Sequence, residues 1–127
     1  MRGRVDGGWW GVVIDAPEPC ALASFYAEVL GWQVVGDDPE HAVVAAPEGV
    51  AYLAIQRNRD FEPPVWPPEH GRQQMMLHLD VEVVELDDAV ADAVRLGARV
   101  APDQQEQSSL RVMLDPAGHP FCLYRDG

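Results

Sequence analysis

Basic side chains are scarce in this chain: nine lysine and arginine residues stand against twenty-one acidic ones, for a formal net charge of −12. Such a surface repels nucleic acid and anionic membranes, so polyanion binding is not expected. The acidity fits either a cationic partner or simply a solvated surface. Cysteine is rarer still. Cys20 and Cys122 lie far apart and form neither a CxxC pair nor a disulfide framework, which leaves a reduced, cytoplasmic protein as the expectation. Long apolar runs are missing too. The stretch Trp9 to Ile14, preceded by Arg2 and Arg4, is stopped by Asp15 far short of the ~18 residues of a membrane span, so neither signal peptide nor anchor is expected.

What is present suffices for a core: 47% of the 127 residues are hydrophobic, enough for one domain of ordinary size. The segment Arg111 to Arg125 reads as strand, turn and strand. In Asp115-Pro116-Ala117-Gly118, Pro presets φ, Gly accepts positive φ, and Asp can bond the turn's own backbone. Upstream, Ala27-x-x-Leu30-Gly31-x-x-Val34 recurs 66 positions later as Ala93-x-x-Leu96-Gly97-x-x-Val100. In both places an apolar helix ends at Gly and a strand follows.

The first strand is expected over Trp10–Asp15 and a helix from about Pro19 to Leu30. Leu22, Phe25, Tyr26, Val29 and Leu30 form its buried stripe, and Gly31 is its stop. Strands follow at Trp32–Val35, Ala42–Ala46 and Val50–Arg57, separated by Gly36-Asp37-Asp38-Pro39 and Pro47-Glu48-Gly49. Asn58 to Gln74 carries Pro63, Pro64, Pro67 and Pro68 around Trp66 and forms no regular element. The order then repeats: strand Gln74–Glu82, helix from about Leu86 to Leu96, strand Ala98–Val100, and strands around Leu110–Leu114 and Pro120–Arg125. This makes two βαβββ modules joined by a Pro-rich linker. Strand alternation puts Leu77, Leu79 and Val81 under the helices and Met76, His78 and Asp80 on the other face. By the same logic Tyr52, Ala54, Gln56, Cys122 and Tyr124 look away from the helices.

Phe25-Tyr26-Ala27-Glu28-Val29-Leu30-Gly31-Trp32, the duplicated plan, His78-Leu79-Asp80 and Asp115-Pro116-Ala117-Gly118-His119-Pro120-Phe121 together resemble the vicinal oxygen chelate superfamily. It includes glyoxalase I, bleomycin-resistance proteins, fosfomycin-resistance enzymes and extradiol dioxygenases. The resemblance runs from about Trp10 to Arg125 and is strongest to the glyoxalase-like branch. It implies an α+β fold in which two tandem βαβββ modules form curved mixed sheets around a cleft. The chain is then a single glyoxalase-like domain, with module one at about 9–57, the linker at 58–73 and module two at about 74–126. Modules of this superfamily pair within a chain or across a homodimer, and a homodimer is the expected assembly here.

The family's four metal ligands, carried over to this chain, fall at Gly11, Ala54, Met76 and Cys122. None is a His or a carboxylate, whereas catalytic metal sites generally draw three or more imidazole and oxygen ligands from protein. No metal and no cofactor are therefore expected at those positions. A site relocated to His78 and Asp80 is the alternative, since i, i+2 spacing puts both on one face. The bland reading makes them hydrogen-bonded cavity residues. Direct contact between the two is not expected, because alternate strand side chains stand ~7 Å apart. His119 reads as a turn or entrance residue, and His41 and His70 as surface residues. Cys122 reads first as a small buried hydrophobe, since a reactive thiol needs a neighbouring cation or helix N-terminus. Trp66 either caps a ligand or pins its own loop, and Trp9 and Trp10 share that ambiguity.

The expected ligand-binding set is Tyr52, Gln56, Trp66, Met76, His78, Asp80 and Cys122. The leading reading is metal-independent binding of a small molecule, as in bleomycin-resistance sequestration. The alternative is a lyase, isomerase or dioxygenase in which His78 and Asp80 act as acid and base or hold a relocated metal. A third possibility is a homodimer with no catalysis. The substrate is not readable from fold.

Overall fold

The computed structural model describes residues 1–105 and 108–126. The fold is α+β and consists of two consecutive βαβββ modules. They coincide with two compact units, Met1–Phe61 and Glu62–Gly127, the Pro-rich stretch belonging to the second. The first contains β1 (Trp10–Ala16), α1 (Pro19–Leu30), β2 (Gln33–Asp38), β3 (His41–Ala45) and β4 (Ala51–Arg57). The second contains β5 (Leu79–Glu82), α2 (Leu86–Leu96), β6 (Arg99–Val100), β7 (Leu110–Leu114) and β8 (Pro120–Tyr124). Each sheet joins its first and last strands in parallel and runs antiparallel beyond, in the orders β1-β4-β3-β2 and β5-β8-β7-β6.

Both helices match their sequence signals because those signals are local. Pro19 opens α1, where its missing N–H has no helical partner, and Gly31 closes it in the left-handed region at φ 68°. Leu22, Ala23, Phe25 and Tyr26 are buried against the first sheet, with the Phe25 and Tyr26 rings edge to face at 5.0 Å. On α2, Asp87 and Asp88 in the first turn and Arg95 in the last complement the helix dipole, while Leu86 and Ala93 are buried.

Strand ends depart further from expectation. β2 extends to Asp38 through a bulge between Val34 and Gly36, so Gly36-Asp37-Asp38 is strand and not turn. At β5 the opposite happens. Its first pair is Leu79↔Phe121, so Gln74 to His78 runs outside the sheet and not as the expected strand. Leu77 is accordingly 58% exposed, not under a helix, and Met76 is 85% exposed.

In the second unit, Phe121 pairs with Met113 and Leu123 with Arg111, which places all four on one face. That face lies against α2: Phe121, Met113 and Leu123 are buried, and Arg111 reaches Asp87 at 3.4 Å. The opposite face carries the row Asp80–Cys122–Val112. Among the described residues no helix is long and apolar enough to cross a membrane.

Candidate functional site

Parallel register sets Asp80 of edge strand β5 directly across from Cys122 of β8, and antiparallel register sets Cys122 across from Val112 of β7. His78 sits just before β5, outside the pleat. Its Nε2 lies 3.1 Å from Asp80 Oδ1, correcting the expectation that these side chains could not meet directly. A residue not held in the strand can turn its ring along the chain, which a pleated one cannot. Ligand atoms of His78, Asp80 and Cys122 all lie within 4.8 Å of one another. The other end of the row is apolar. Ala101, Val112 and Cys122 form a buried cluster on which Trp66, Leu110 and Leu114 pack.

Trp66 reaches that cluster from the Pro-rich stretch, and its Nε1–H donates to Asp103 O at 3.1 Å. The loop is thus pinned onto the Ala101–Val112–Cys122 cluster. A second tie holds the same stretch: Gly118, at φ 102°, has no room for a Cβ, which would stand 2.7 Å from Pro63 Cβ. The closing turn itself is organised by Asp115, fully buried, whose Oδ1 accepts the backbone N–H groups of Ala117, Gly118 and His119 at 2.9 to 3.0 Å. His119 Nδ1 lies 2.8 Å from Asp115 Oδ2, so His119 is a turn residue.

Of the seven residues expected in the site, the structure brings His78, Asp80 and Cys122 together, and Trp66 borders Cys122. Met76 is largely solvent-exposed outside the sheet. Tyr52 and Gln56 belong to the first unit, on the face turned away from α1. There Gln56 Nε2 donates to Asp15 Oδ1 at 2.6 Å, and Asn58 Nδ2 to Asp15 Oδ2 at 3.0 Å. His41 begins β3 and is exposed, as is His70. The Asp80–Cys122 pairing was not visible in the sequence, because it depends on register between strands separated by a helix and a hairpin.

The duplicated fold accompanies a match of the glyoxalase-like domain family to residues 11–124. The chain belongs to that family. It is thereby a member of the vicinal oxygen chelate superfamily. No curated protein matches it. Among solved structures, this glyoxalase-like chain is similar to a glyoxalase/bleomycin resistance protein/dioxygenase family enzyme from Burkholderia phytofirmans, at 17% identity and TM-score 0.66, covering 91% of this chain and 95% of that one. A possible glyoxalase from Bacillus cereus is 13% identical with TM-score 0.64, covering 92% and 97%. The bleomycin-binding protein from Streptomyces verticillus, complexed with copper(II)-bleomycin, is 19% identical with TM-score 0.57, covering 100% of both chains. At these identities the likeness is one of fold.

Of the four positions that the resemblance gives for the superfamily's metal ligands, none holds an imidazole or a carboxylate, and Met76 lies outside β5. A Cβ on Gly11 would meet the Tyr52 ring at 2.5 Å, so that position is filled by an aromatic ring and has no room for a ligand. Ala54 is buried without a donor, and Met76 points to solvent. Cys122 is the one of the four that offers a thiol. Its thiol is pushed up from 9.0 to about 11, first by burial and then by the charge of Asp80 and a hydrogen bond to it. The protonated thiol is therefore the resting form at neutral pH.

This shift has a signed consequence for stability. The folded state holds the thiol proton more tightly than the unfolded state, so the contribution is fully present below pH 9 and is lost as pH rises toward 11. In EDTA-treated protein the urea midpoint is expected to fall more steeply between pH 9 and 10.5 for the parent than for Cys122→Ala. Parallel pH profiles would contradict the assignment.

Proposed function

We propose that this glyoxalase-like protein binds a small molecule at the face of its second sheet turned away from α2, without using the superfamily's four-position metal. The observation that carries the reading is the row running from His78 and Asp80, through Cys122, to Val112, Ala101 and Trp66. A polar, anionic head stands beside an apolar wall bordered by an aromatic ring on a Pro-stiffened loop. Such a surface suits an amphiphile with a cationic or hydrogen-bonding end, because Asp80 supplies charge and the indole supplies area at little cost in flexibility. The overall charge of −12 draws cations toward it. Sequestration in the manner of bleomycin-resistance proteins is the mode we favour, and the fold of a bleomycin-binding protein supports it.

Thermal shift against a panel of cationic, neutral and anionic amphiphiles, bleomycin included and EDTA present throughout, tests the reading. At least one cationic compound is expected to raise the unfolding midpoint, by about 2.7 kcal/mol of stabilisation at a hundred times its Kd. Asp80→Ala and Trp66→Ala should each weaken that effect. A panel in which no compound stabilises the protein sinks the proposal.

One observation favours a second reading. The 3.1 Å His78–Asp80 contact orients an imidazole as a general base would need, which suits a lyase, isomerase or dioxygenase. In a turnover assay against any ligand found, activity lost in His78→Ala with binding retained would select this reading over sequestration.

A further inference from the structure

We propose that Gln104 is the positioning residue of the binding face: its side-chain amide stands in for the next residue of β6 and, through the Asp103 carbonyl, sets the Trp66 ring on the apolar wall. Its effect on a ligand rests on the small-molecule reading above. Strand β6 is only two residues long, and Val112 of β7 lies beyond its last pair, Val100↔Met113. Ala101 still donates its N–H to Val112 O at 3.0 Å. Pro102 then has no N–H with which to continue the ladder, and the chain leaves the sheet. Gln104 takes over at that point. Its Oε1 accepts the Val112 N–H at 3.0 Å, while its Nε2 donates to Val112 O and Ala101 O, each at 2.8 Å. A primary amide carries the same C=O and N–H groups as a peptide bond, so both edge groups of Val112 are met as a neighbouring strand would meet them.

The consequence reaches Trp66. Asp103 lies between Pro102 and Gln104 and belongs to no strand, so the amide that grips Val112 also holds the carbonyl to which Trp66 Nε1–H donates at 3.1 Å. Val112 and Ala101, the two residues that Gln104 bonds, form with Cys122 the wall on which the indole packs. Wall and ring thus share one anchor. The role needs an amide at full length. Glutamate keeps the acceptor but loses both donor bonds and sets a charge against two carbonyl oxygens, whereas methionine fills similar space with none of the three bonds.

The test follows the indole N–H resonances of Trp9, Trp10, Trp32 and Trp66 in ¹⁵N-labelled, full-length protein with EDTA present, Trp66 being assigned by its loss in Trp66→Phe. In Gln104→Met the Trp66 resonance alone is expected to shift, and its hydrogen exchange to accelerate by at least about tenfold as the N–H passes from Asp103 O to water. Dodecyltrimethylammonium, kept below its micelle concentration, is the ligand probe, and its Kd should rise about tenfold as the ring loses its preset position. A Trp66 resonance unmoved in both Gln104→Met and Gln104→Glu would overturn the proposal, as would a general shift of all four resonances, which marks a merely structural residue. A displaced Trp66 with an unchanged Kd for the probe would remove Gln104 from the binding face. If the probe binds neither parent nor variant, the sequestration reading loses that class of ligand, and the indole resonances still decide whether Gln104 holds Trp66. If Gln104→Met fails to fold, Gln104→Glu, which keeps the acceptor for Val112, decides it.

Discussion

Replacing Asp115 with alanine is expected to lower the unfolding midpoint by roughly 10–20 °C, the equivalent of about 3–5 kcal/mol. The size follows from what the carboxylate holds. One oxygen accepts three backbone N–H groups and the other meets the His119 ring, all in a side chain with no exposed surface. Removing the carboxylate takes an acceptor from the part-buried N–H groups of Ala117 and His119, while Gly118 N keeps its bond to Asp115 O, and each such loss costs about 1–3 kcal/mol. Gly118 cannot relax to compensate, because its φ of 102° and its contact with Pro63 are both tied to the turn. Asp115→Asn keeps an acceptor oxygen and should lose less than half as much. His119→Ala removes one partner and should cost about 1 kcal/mol. Calorimetry or urea denaturation of the three variants measures this, and an Asp115→Ala midpoint within 2 °C of the parent, on the order of half a kcal/mol, would show that the turn is held by other means.

That turn also feeds β8, and so it bears on the site. Asp115 N donates to His119 O, which fixes where Pro120 begins the strand and therefore which β8 residue stands across from Asp80. A one-residue slip would put Cys122 on the α2 face and dissolve the triad.

How much of this was legible beforehand depends on the range of the signals. Pro19, Gly31 and Gly97 act on their own helices, and both helix spans follow from them. The turn at Asp115 is equally local, although its tie to His119 through the side chain is not. Strand ends depend on partners. Gly36-Asp37-Asp38 has turn composition, yet β3 pairs with it as far as Asp38↔His41 and makes it strand. Met76 and Leu77 alternate as a strand should, yet the pairing of β5 with β8 starts only at Leu79↔Phe121 and does not reach them. The site shows the same division. Alternation alone put His78, Asp80 and Cys122 on one face of the second module. Their convergence required the parallel register of β5 on β8 and the freedom of His78 outside it, neither of which composition encodes. Trp66 was ambiguous because a long loop's landing place is decided by distant residues, here Asp103 and the Ala101–Val112–Cys122 cluster.

Gly11→His is the substitution that would restore a ligand type at a superfamily metal position, and it is expected to destabilise by about 1–3 kcal/mol while adding no metal uptake. Two effects oppose each other. Glycine inside a strand is costly, so a side chain there should by itself gain roughly 0.5–1 kcal/mol. Against this, a Cβ would lie 2.5 to 2.6 Å from three ring atoms of Tyr52, which the Gly11↔Tyr52 register holds directly opposite. The clash includes Cγ, the root of the ring, so turning the ring tip away does not relieve it. Overpacking therefore wins. The double variant Gly11→His with Tyr52→Ala tests the cause as well as the sign: removing the ring should recover most of the lost stability. A single variant as stable as the parent would show that Tyr52 yields readily, and the position would then be open to a side chain after all.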